Sequence, residues 1–238
     1  MTRRSITAIT PVADGVFFVE GPGSNWVILV GDGSAALVDA GYPADLPLVE
    51  ESLTSVAADL PLEAILITHG HSDHIGSINA LATAHPGVQV FAGRPELPNV
   101  RRDVTHQVGL PDLVPHLFKP RFLRWASHAV RAGGLGEVGV RHVRAVPSSM
   151  VIAGHDVRSA TMHGHTPGHT VYELPESRVV AVGDGLVTGH PVSRAVGLQT
   201  LHPMFHYDPA AAEAVGATLA ETYSGWTILP GHGGLSAV

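Results

Sequence analysis

The sequence predicts an α/β protein in which sheet layers are covered by helices on their outer faces. Two observations carry this. Short apolar, β-rich runs come first as consecutive strands and then alternate with helical stretches, and that order returns in the second half. The chain has 238 residues, 45% of them hydrophobic and 15% charged. That suits one globular domain, residues 1–238, with a sizeable core.

Residues 5–40 read as strands and tight turns. Val16-Phe17-Phe18-Val19 and Trp26-Val27-Ile28-Leu29-Val30 are β-rich runs. Gly31-Asp32-Gly33-Ser34 supplies a turn, and Ala35-Ala36-Leu37-Val38-Asp39 returns as the second strand of a hairpin ending in a carboxylate. Asp45 or Pro47 opens a helix through about Asp59, with Leu48, Ser52, Leu53, Val56 and Leu60 on its apolar stripe. Ala64-Ile65-Leu66-Ile67 is a short buried strand. A histidine-rich loop, a helix from Ile75 to Ala84 and the strand Val88-Gln89-Val90-Phe91 follow it.

Residues 93–147 break the pattern. Pro95, Pro98, Pro111, Pro115 and Pro120 interrupt any periodicity, and one helix stands out, Arg121 to Ala132, closed by Gly133-Gly134. Its apolar face is Phe122, Trp125, Ala126, Ala129 and Val130; Arg121, Arg124, His128 and Arg131 fall opposite. This segment reads as a cap or substrate-binding insert over one side of a site. Strands resume at Ser149–Ile152, Val157–Ala160, Val171–Leu174 and Val179–Val182. A helix from Pro209 to Tyr223 and a strand Trp226–Leu229 end the pattern. Ile65, Ile67, Val88 and Val180 are core candidates.

Composition narrows the function. The chain has no cysteine, which excludes disulfides, a thiol nucleophile and thiolate metal ligands. Two arginines near the N-terminus precede no uninterrupted apolar run, and Pro11 and Asp14 arrive too soon for a signal peptide. No stretch is long enough to span a membrane. A cytoplasmic protein is expected. Net charge is −7, yet residues 94–144 hold nine basic residues and four acidic ones. A positive segment on a negative body can attract a small anionic substrate, with at least one arginine facing the site. Few aromatics interleave these charges, so nucleic acid is not an expected partner. Oligomeric state is not legible.

The chemistry lies in Thr68-His69-Gly70-His71-Ser72-Asp73-His74, just after the strand 64–67. His69 and His71 are two apart, so on an extended segment they point to one side. Asp73 and His74 open the next helix and can be aimed back at the same point. Imidazole nitrogen and carboxylate oxygen are ligands that borderline divalent metals prefer. Three later loops look alike, each after an apolar strand and each flanked by glycine: His163-Gly164-His165-Thr166-Pro167-Gly168-His169, Gly183-Asp184-Gly185 and Gly231-His232-Gly233. Of the three histidines in the first of these, His165 sits at the mouth of the turn that Gly164 permits. His169 is better placed to brace a ligand loop through a hydrogen bond.

In that order and spacing the chain resembles the metallo-β-lactamase fold superfamily of hydrolases, from the strand end at Val38-Asp39 to His232. The resemblance implies a four-layer αβ/βα sandwich with two divalent metal ions, usually zinc. His69, His71 and His165 would hold the first, Asp73, His74 and His232 the second, and Asp184 would bridge. The commonest zinc β-lactamases place a cysteine at the second site. Its absence points to the glyoxalase II, lactonase and related hydrolase branch. The expected reaction is cleavage of an ester, lactone, thioester or amide by a metal-bridging hydroxide that Asp73 orients. His169, His190, His206 and Tyr207 are candidates to support the ligands or meet the substrate. Two alternatives share the motif: an enzyme resembling persulfide dioxygenases, with one iron, and a lyase-like or non-hydrolytic metal-binding member of the fold.

Overall fold

The computed structural model describes residues 5–6, 8–116 and 118–237. Residues 1–4, part of the stretch read as lacking a leader, lie outside them. Strands β1 (Ala8–Ala13), β2 (Val16–Glu20), β3 (Asn25–Gly31) and β4 (Ser34–Val38) form an antiparallel meander. Helix α1 (Leu46–Ala57) leads to β5 (Leu62–Ile67), parallel to β4. Helices α2 (Ser72–Ile75) and α3 (Ile78–Ala84) precede β6 (Gln89–Ala92), parallel to β5. After α4 (Leu97–Val100), α5 (Leu110–Leu113) and α6 (Pro120–Arg131), β7 (Arg144–Ala145) completes a seven-stranded sheet.

The second sheet takes β8 (Ser149–Ile152), β9 (His155–Thr161), β10 (Thr170–Leu174), β11 (Val179–Gly183), β12 (Thr227–Pro230) and β13 (Ser236–Ala237). Its spatial order is β13-β12-β11-β10-β9-β8, and α7 (Pro209–Thr222) connects β11 to its parallel neighbour β12. No helix among the described residues is long and apolar enough to cross a membrane.

The layers follow from strand alternation. On β5, Ile65 and Ile67 face one way and pack with Val49 and Leu53 of α1 and Ile78 and Leu81 of α3. Ala64 and Leu66 face the other way, into a core shared with Tyr172, Val179 and Ala181 of the second sheet. On β11, Val180 and Val182 turn outward to Leu219 and Tyr223 on and beside α7. The result is helix, sheet, sheet, helix, the expected four-layer sandwich. Strands buried on both faces explain the continuous apolar runs at 64–67 and 179–182. Full burial of each valine, leucine or isoleucine in them contributes about 1.5–3 kcal/mol relative to exposure.

Two elements differ from expectation. The single helix foreseen from Ile75 to Ala84 begins earlier, at Ser72, and is interrupted after Ile75. There the Gly76 N–H donates to Gly41 O at 2.9 Å, and the Ser77 hydroxyl donates to Tyr42 O at 2.8 Å. Long-range partners thus take over where the helix pauses. The segment 93–147 also returns to the first sheet, since Arg144 and Ala145 pair with Phe91 and Ala92.

Gly76 lets the 41–43 backbone approach this break. A Cβ there would lie 2.3 Å from Pro43 Cδ and 2.5 Å from the Tyr42 carbonyl carbon. Because backbone rather than a flexible side chain must yield, G76A is expected to destabilise by about 1–3 kcal/mol in urea unfolding. An unchanged midpoint and slope would contradict this packing.

Candidate metal centre

Parallel strands deliver the loops after them to the same end of a sheet. His69 follows β5, Asp184 follows β11, and His232 follows β12; His165 comes from the loop between β9 and β10. Asp73 and His74 lie in α2, whose first turn folds back from the His71 cap. Two groups of potential metal ligands result, His69–His71–His165–Asp184 and Asp73–His74–His232, the ligand atoms of each lying within 4.8 Å of one another. Asp184 lies between the groups. Its Oδ2 is 3.5 Å from His165 Nε2 and 3.2 Å from His232 Nε2, and its Oδ1 is 3.4 Å from His74 Nε2. Asp73 Oδ2 lies 3.4 Å from His232 Nε2. All seven side chains are buried except Asp73, which is half-buried.

Each ring is turned by a partner behind it. Carbonyl and carboxylate oxygens only accept, so the ring nitrogen facing one must carry the hydrogen. His71 Nε2 donates to His106 O at 2.8 Å, His232 Nδ1 to Gly23 O at 2.7 Å, and His74 Nδ1 to Asp39 Oδ2 at 2.8 Å. The Thr68 hydroxyl donates to Asp39 Oδ2 and so accepts from His69 Nδ1 at 3.0 Å. His206 Nε2 donates to Leu201 O, which leaves its Nδ1 to accept from His165 Nδ1 at 3.0 Å. Every outward nitrogen is thereby committed, and the lone pairs of the other nitrogens point inward. His165 Nε2 sits 3.2 Å from His69 Nε2 and 3.1 Å from His71 Nδ1. Lone pairs at that separation repel, and a shared cation relieves the repulsion. His74 Nε2 and Asp184 Oδ1 are buried with no hydrogen-bond partner. The donor set fits divalent metal ions.

The electrostatics agree. Burial pushes His69 and His165 well below the ordinary imidazole range, and neighbouring imidazoles add to this. Burial likewise lowers His71, against the pull of Asp73 and Asp184. At His74 and His232 burial is outweighed by carboxylates, Asp184 above all, so both are raised. Burial also opposes ionisation of Asp184, but His232 and His74 hold its carboxyl well below the usual range. A bound metal ion would replace the protons these pairs otherwise share.

A buried scaffold holds the loops. Asp39 adopts a left-handed backbone conformation, φ +63°, at the end of β4. Its Oδ1 accepts from Thr68 N–H at 2.8 Å. Glu96 joins two ligand loops: Oε1 accepts from Gly70 N–H and Asn99 Nδ2, and Oε2 from Thr166 Oγ1 and Gly168 N–H. Asn25 Nδ2 donates to Pro230 O and Gly233 O beside His232, and the Ser24 hydroxyl donates to Asp73 O. Sequence reasoning noted Asp39 as a strand-end carboxylate but gave it no role. Thr68, Glu96, Asn25 and the His106 carbonyl were missed, and a lone acid in a proline-rich stretch carries no signal.

The other sequence candidates divide. His206 backs His165. His190 lines the cavity above the centre, and burial pushes it down to about 3. Tyr207 is exposed; its backbone N–H donates to His165 O, and its ring stands against His106 and His163 rather than in the cavity. His163 is exposed, 3.8 Å from Asp208. The hydrogen bond expected of His169 is not made: it is buried beside His69 and His165 with neither ring nitrogen bonded. His169 immediately precedes β10 in the interior between the loops, where burial lowers it to about 4.

The basic segment also departs from expectation. None of the described residues lining the cavity is arginine or lysine. Arg102 instead donates to Gly70 O at 2.6 Å, Arg101 to Val143 O and Arg121 to Ser193 O, and Arg141 pairs with Asp103. These guanidiniums satisfy loop carbonyls and surface acids. Within 93–147, residues 96–107 brace the ligand loop, while Val108, Trp125, Ala126, Ala129 and Leu135 line the cavity.

Fold and site together define a metallohydrolase-type architecture. Residues 19–232 match the metallo-beta-lactamase superfamily model, and the chain belongs to that superfamily. It is 30% identical over 192 residues to the probable metallo-hydrolase YflN of Bacillus subtilis, covering 76% of this chain and 69% of that protein. It is 28% identical to the hydroxyacylglutathione hydrolase GloC of Haemophilus influenzae, over 66% of this chain and 63% of that one. Its match to the Stenotrophomonas maltophilia hydroxyacylglutathione hydrolase, 36% identical, spans 37% of this chain and 29% of that protein. Among solved structures, the Thermus thermophilus family protein TTHA1429 superposes with TM-score 0.65 at 22% identity, over 95% of this chain and 76% of that one. TTHA1623 in a di-iron-bound form gives 0.58 at 25% identity, over 91% of each chain.

Two outcomes test the centre. D39N removes one acceptor from the oxygen pair that orients His74 and Thr68, so it should weaken divalent-metal binding about 10–100-fold in chelator competition. Unaltered affinity would show that Asp39 orients neither ligand. Acidification should empty the two clusters in order. Raised pKa values at His74 and His232 let protons compete there at higher pH, whereas His69 and His165 take them up only at lower pH. Metal content measured stepwise from about pH 7.5 to 5.5 should fall first at the second cluster.

Proposed function

We propose that the protein is a dinuclear metal-dependent hydrolase, with zinc the expected metal, that cleaves an ester, lactone, thioester or amide of a small metabolite. One observation carries the reading. Five imidazoles, their outward nitrogens already bonded, converge with two carboxylates, and their inward atoms face one another. In this reading His69, His71 and His165 hold the first ion, Asp73, His74 and His232 the second, and Asp184 both. Bound divalent ions supply a Lewis acid and a water whose pKa falls to about 7. Asp73 lines the cavity and is placed to orient the attacking water at its carboxylate. His190 Nδ1 faces the Val192 N–H at 3.4 Å, which assigns the ring hydrogen to Nε2. As a neutral imidazole it can hydrogen-bond a leaving atom. Residues 108–135 act as the cap that excludes water and selects the substrate.

The relatives named metallo-hydrolase and hydroxyacylglutathione hydrolase support hydrolysis. Asp73, His74 and His232 could hold a second ion, and metal content separates this reading from the single iron of a dioxygenase. The test is metal analysis of the purified protein with a panel of esters, lactones and thioesters. The expected result is two divalent ions per chain and hydrolysis that chelation abolishes and metal restores. The apolar layers around Ile65, Ile67 and Val180 should keep the chain folded through chelation, read by circular dichroism. H165A should lose the first ion, whereas H169A should keep both because its ring holds no ligand. One redox-active iron per chain, with oxygen consumed on a persulfide, would overturn the reading.

A further inference from the structure

A cleft opens over the metal centre, with about 680 Å³ of empty space when its open mouth and the adjoining solvent are counted; it is concave and mostly apolar, the character of a small-molecule site. One wall is a face of α6, with Trp125, Ala129 and Val130; Leu201 and Phe205 add to it, the Phe205 ring meeting Trp125 edge-on at 5.0 Å. Phe122 and Val192 pack with Leu201 and Phe205, so these walls are backed by a small apolar core of their own. Polar groups away from the ligands are largely spent on the protein. Gln107 Oε1 accepts from the Ser72 N–H and hydroxyl at 2.9 Å each, and its Nε2 donates to Gly134 O at 3.4 Å. The apolar lining also continues outward: Val130 and Leu135 line the cavity yet are 51% and 61% exposed.

Charge decides between substrate classes. A carboxylate buried away from the metal ligands would need a cation, and none of the described lining residues is arginine or lysine. Arg124 borders a separate depression that shares Tyr42 and Trp125 with the cavity; Arg102 lies behind the cavity wall, its donors spent on Gly70 O, Asn99 O, Ser72 Oγ and Gln107 Oε1. The geometry points to an uncharged substrate with an apolar chain that lies along α6 and leaves the cavity past Val130 and Leu135. It points away from substrates whose recognition depends on carboxylates, such as a glutathione thioester. This rests on the hydrolase reading above and supplies its substrate class.

Two measurements on the metal-loaded protein test it. The first is kcat/KM for neutral esters, lactones and thioesters of increasing alkyl length, with a glutathione thioester in the same panel. Efficiency should rise about threefold or more per methylene until the cavity is filled, and the glutathione thioester should be poor. The second is calorimetric binding of dialkyl ketones of the same lengths, which carry no hydrolysable bond, so that no turnover is needed. A129W, which fills the cavity, should abolish the chain-length dependence while metal content and circular dichroism stay unchanged. L135R, at the exposed rim, should raise efficiency on a carboxylate-bearing ester. Hydrolysis that ignores chain length, or that favours the glutathione thioester, overturns the inference and leaves the hydrolase reading standing. Probe binding that strengthens with chain length, with none of the esters, lactones and thioesters hydrolysed, upholds the inference and sinks the hydrolase reading. Binding that ignores chain length overturns the inference whatever the turnover shows.

Discussion

Inward-facing lone pairs and carboxylates cannot share one buried volume unless something holds them there and something cancels their repulsion. The protein supplies the holding. Each imidazole has its outer nitrogen bonded to a carbonyl, a carboxylate, a hydroxyl or a further imidazole. Desolvation then keeps His69, His71 and His165 neutral and ready as ligands. Glycine makes the crowding possible. A Cβ on Gly231 would lie 2.1 Å from Asp184 Oδ1 and 3.0 Å from His74 Cε1. Any larger residue there would push Asp184 out of the position from which it reaches both clusters.

Two buried carboxylates do the structural joining. Asp39 couples the end of β4 to the loop after β5 and to α2 through one side chain. Glu96 couples the loop at Gly70 to the loop at Thr166 and Gly168, far apart in sequence, with three hydrogen bonds, and accepts a fourth from Asn99. A buried carboxylate with that many donors is stabilised in place, and removing one partner would strand the others. The sheets therefore set the site only coarsely, by ending their strands at one edge. Its fine geometry depends on side chains that never face the cavity.

The segment between the two sheets serves two purposes that its composition does not separate. Its first part ends in side chains and a carbonyl that grip the ligand loop, and its later part is a greasy helix face above the centre. The arginines that dominate its charge lie on surfaces or against carbonyls. A residue count records their sum, whereas the shape of α6 decides which side of the helix meets the site.

Read alone, the apolar pattern determined sheet layers covered by helices on their outer faces, because apolar runs and periodicities report which faces are buried; the count of four layers came with the resemblance to the metallo-β-lactamase fold. The sequence also determined the ligand candidates, because histidine and aspartate beside glycine at strand ends are chemically conspicuous. His165 could be preferred over His163 and His169 from the turn at Gly164. Three things depended on the tertiary structure. The break after Ile75 arises from Gly41 and Tyr42 carbonyls far away in the chain. The missing hydrogen bond of His169 depends on the interior it enters. The uncharged cavity depends on which face of α6 turns inward. Each is a contact between segments remote in sequence, and local spacing carries no information about where a distant carbonyl or guanidinium will come to rest.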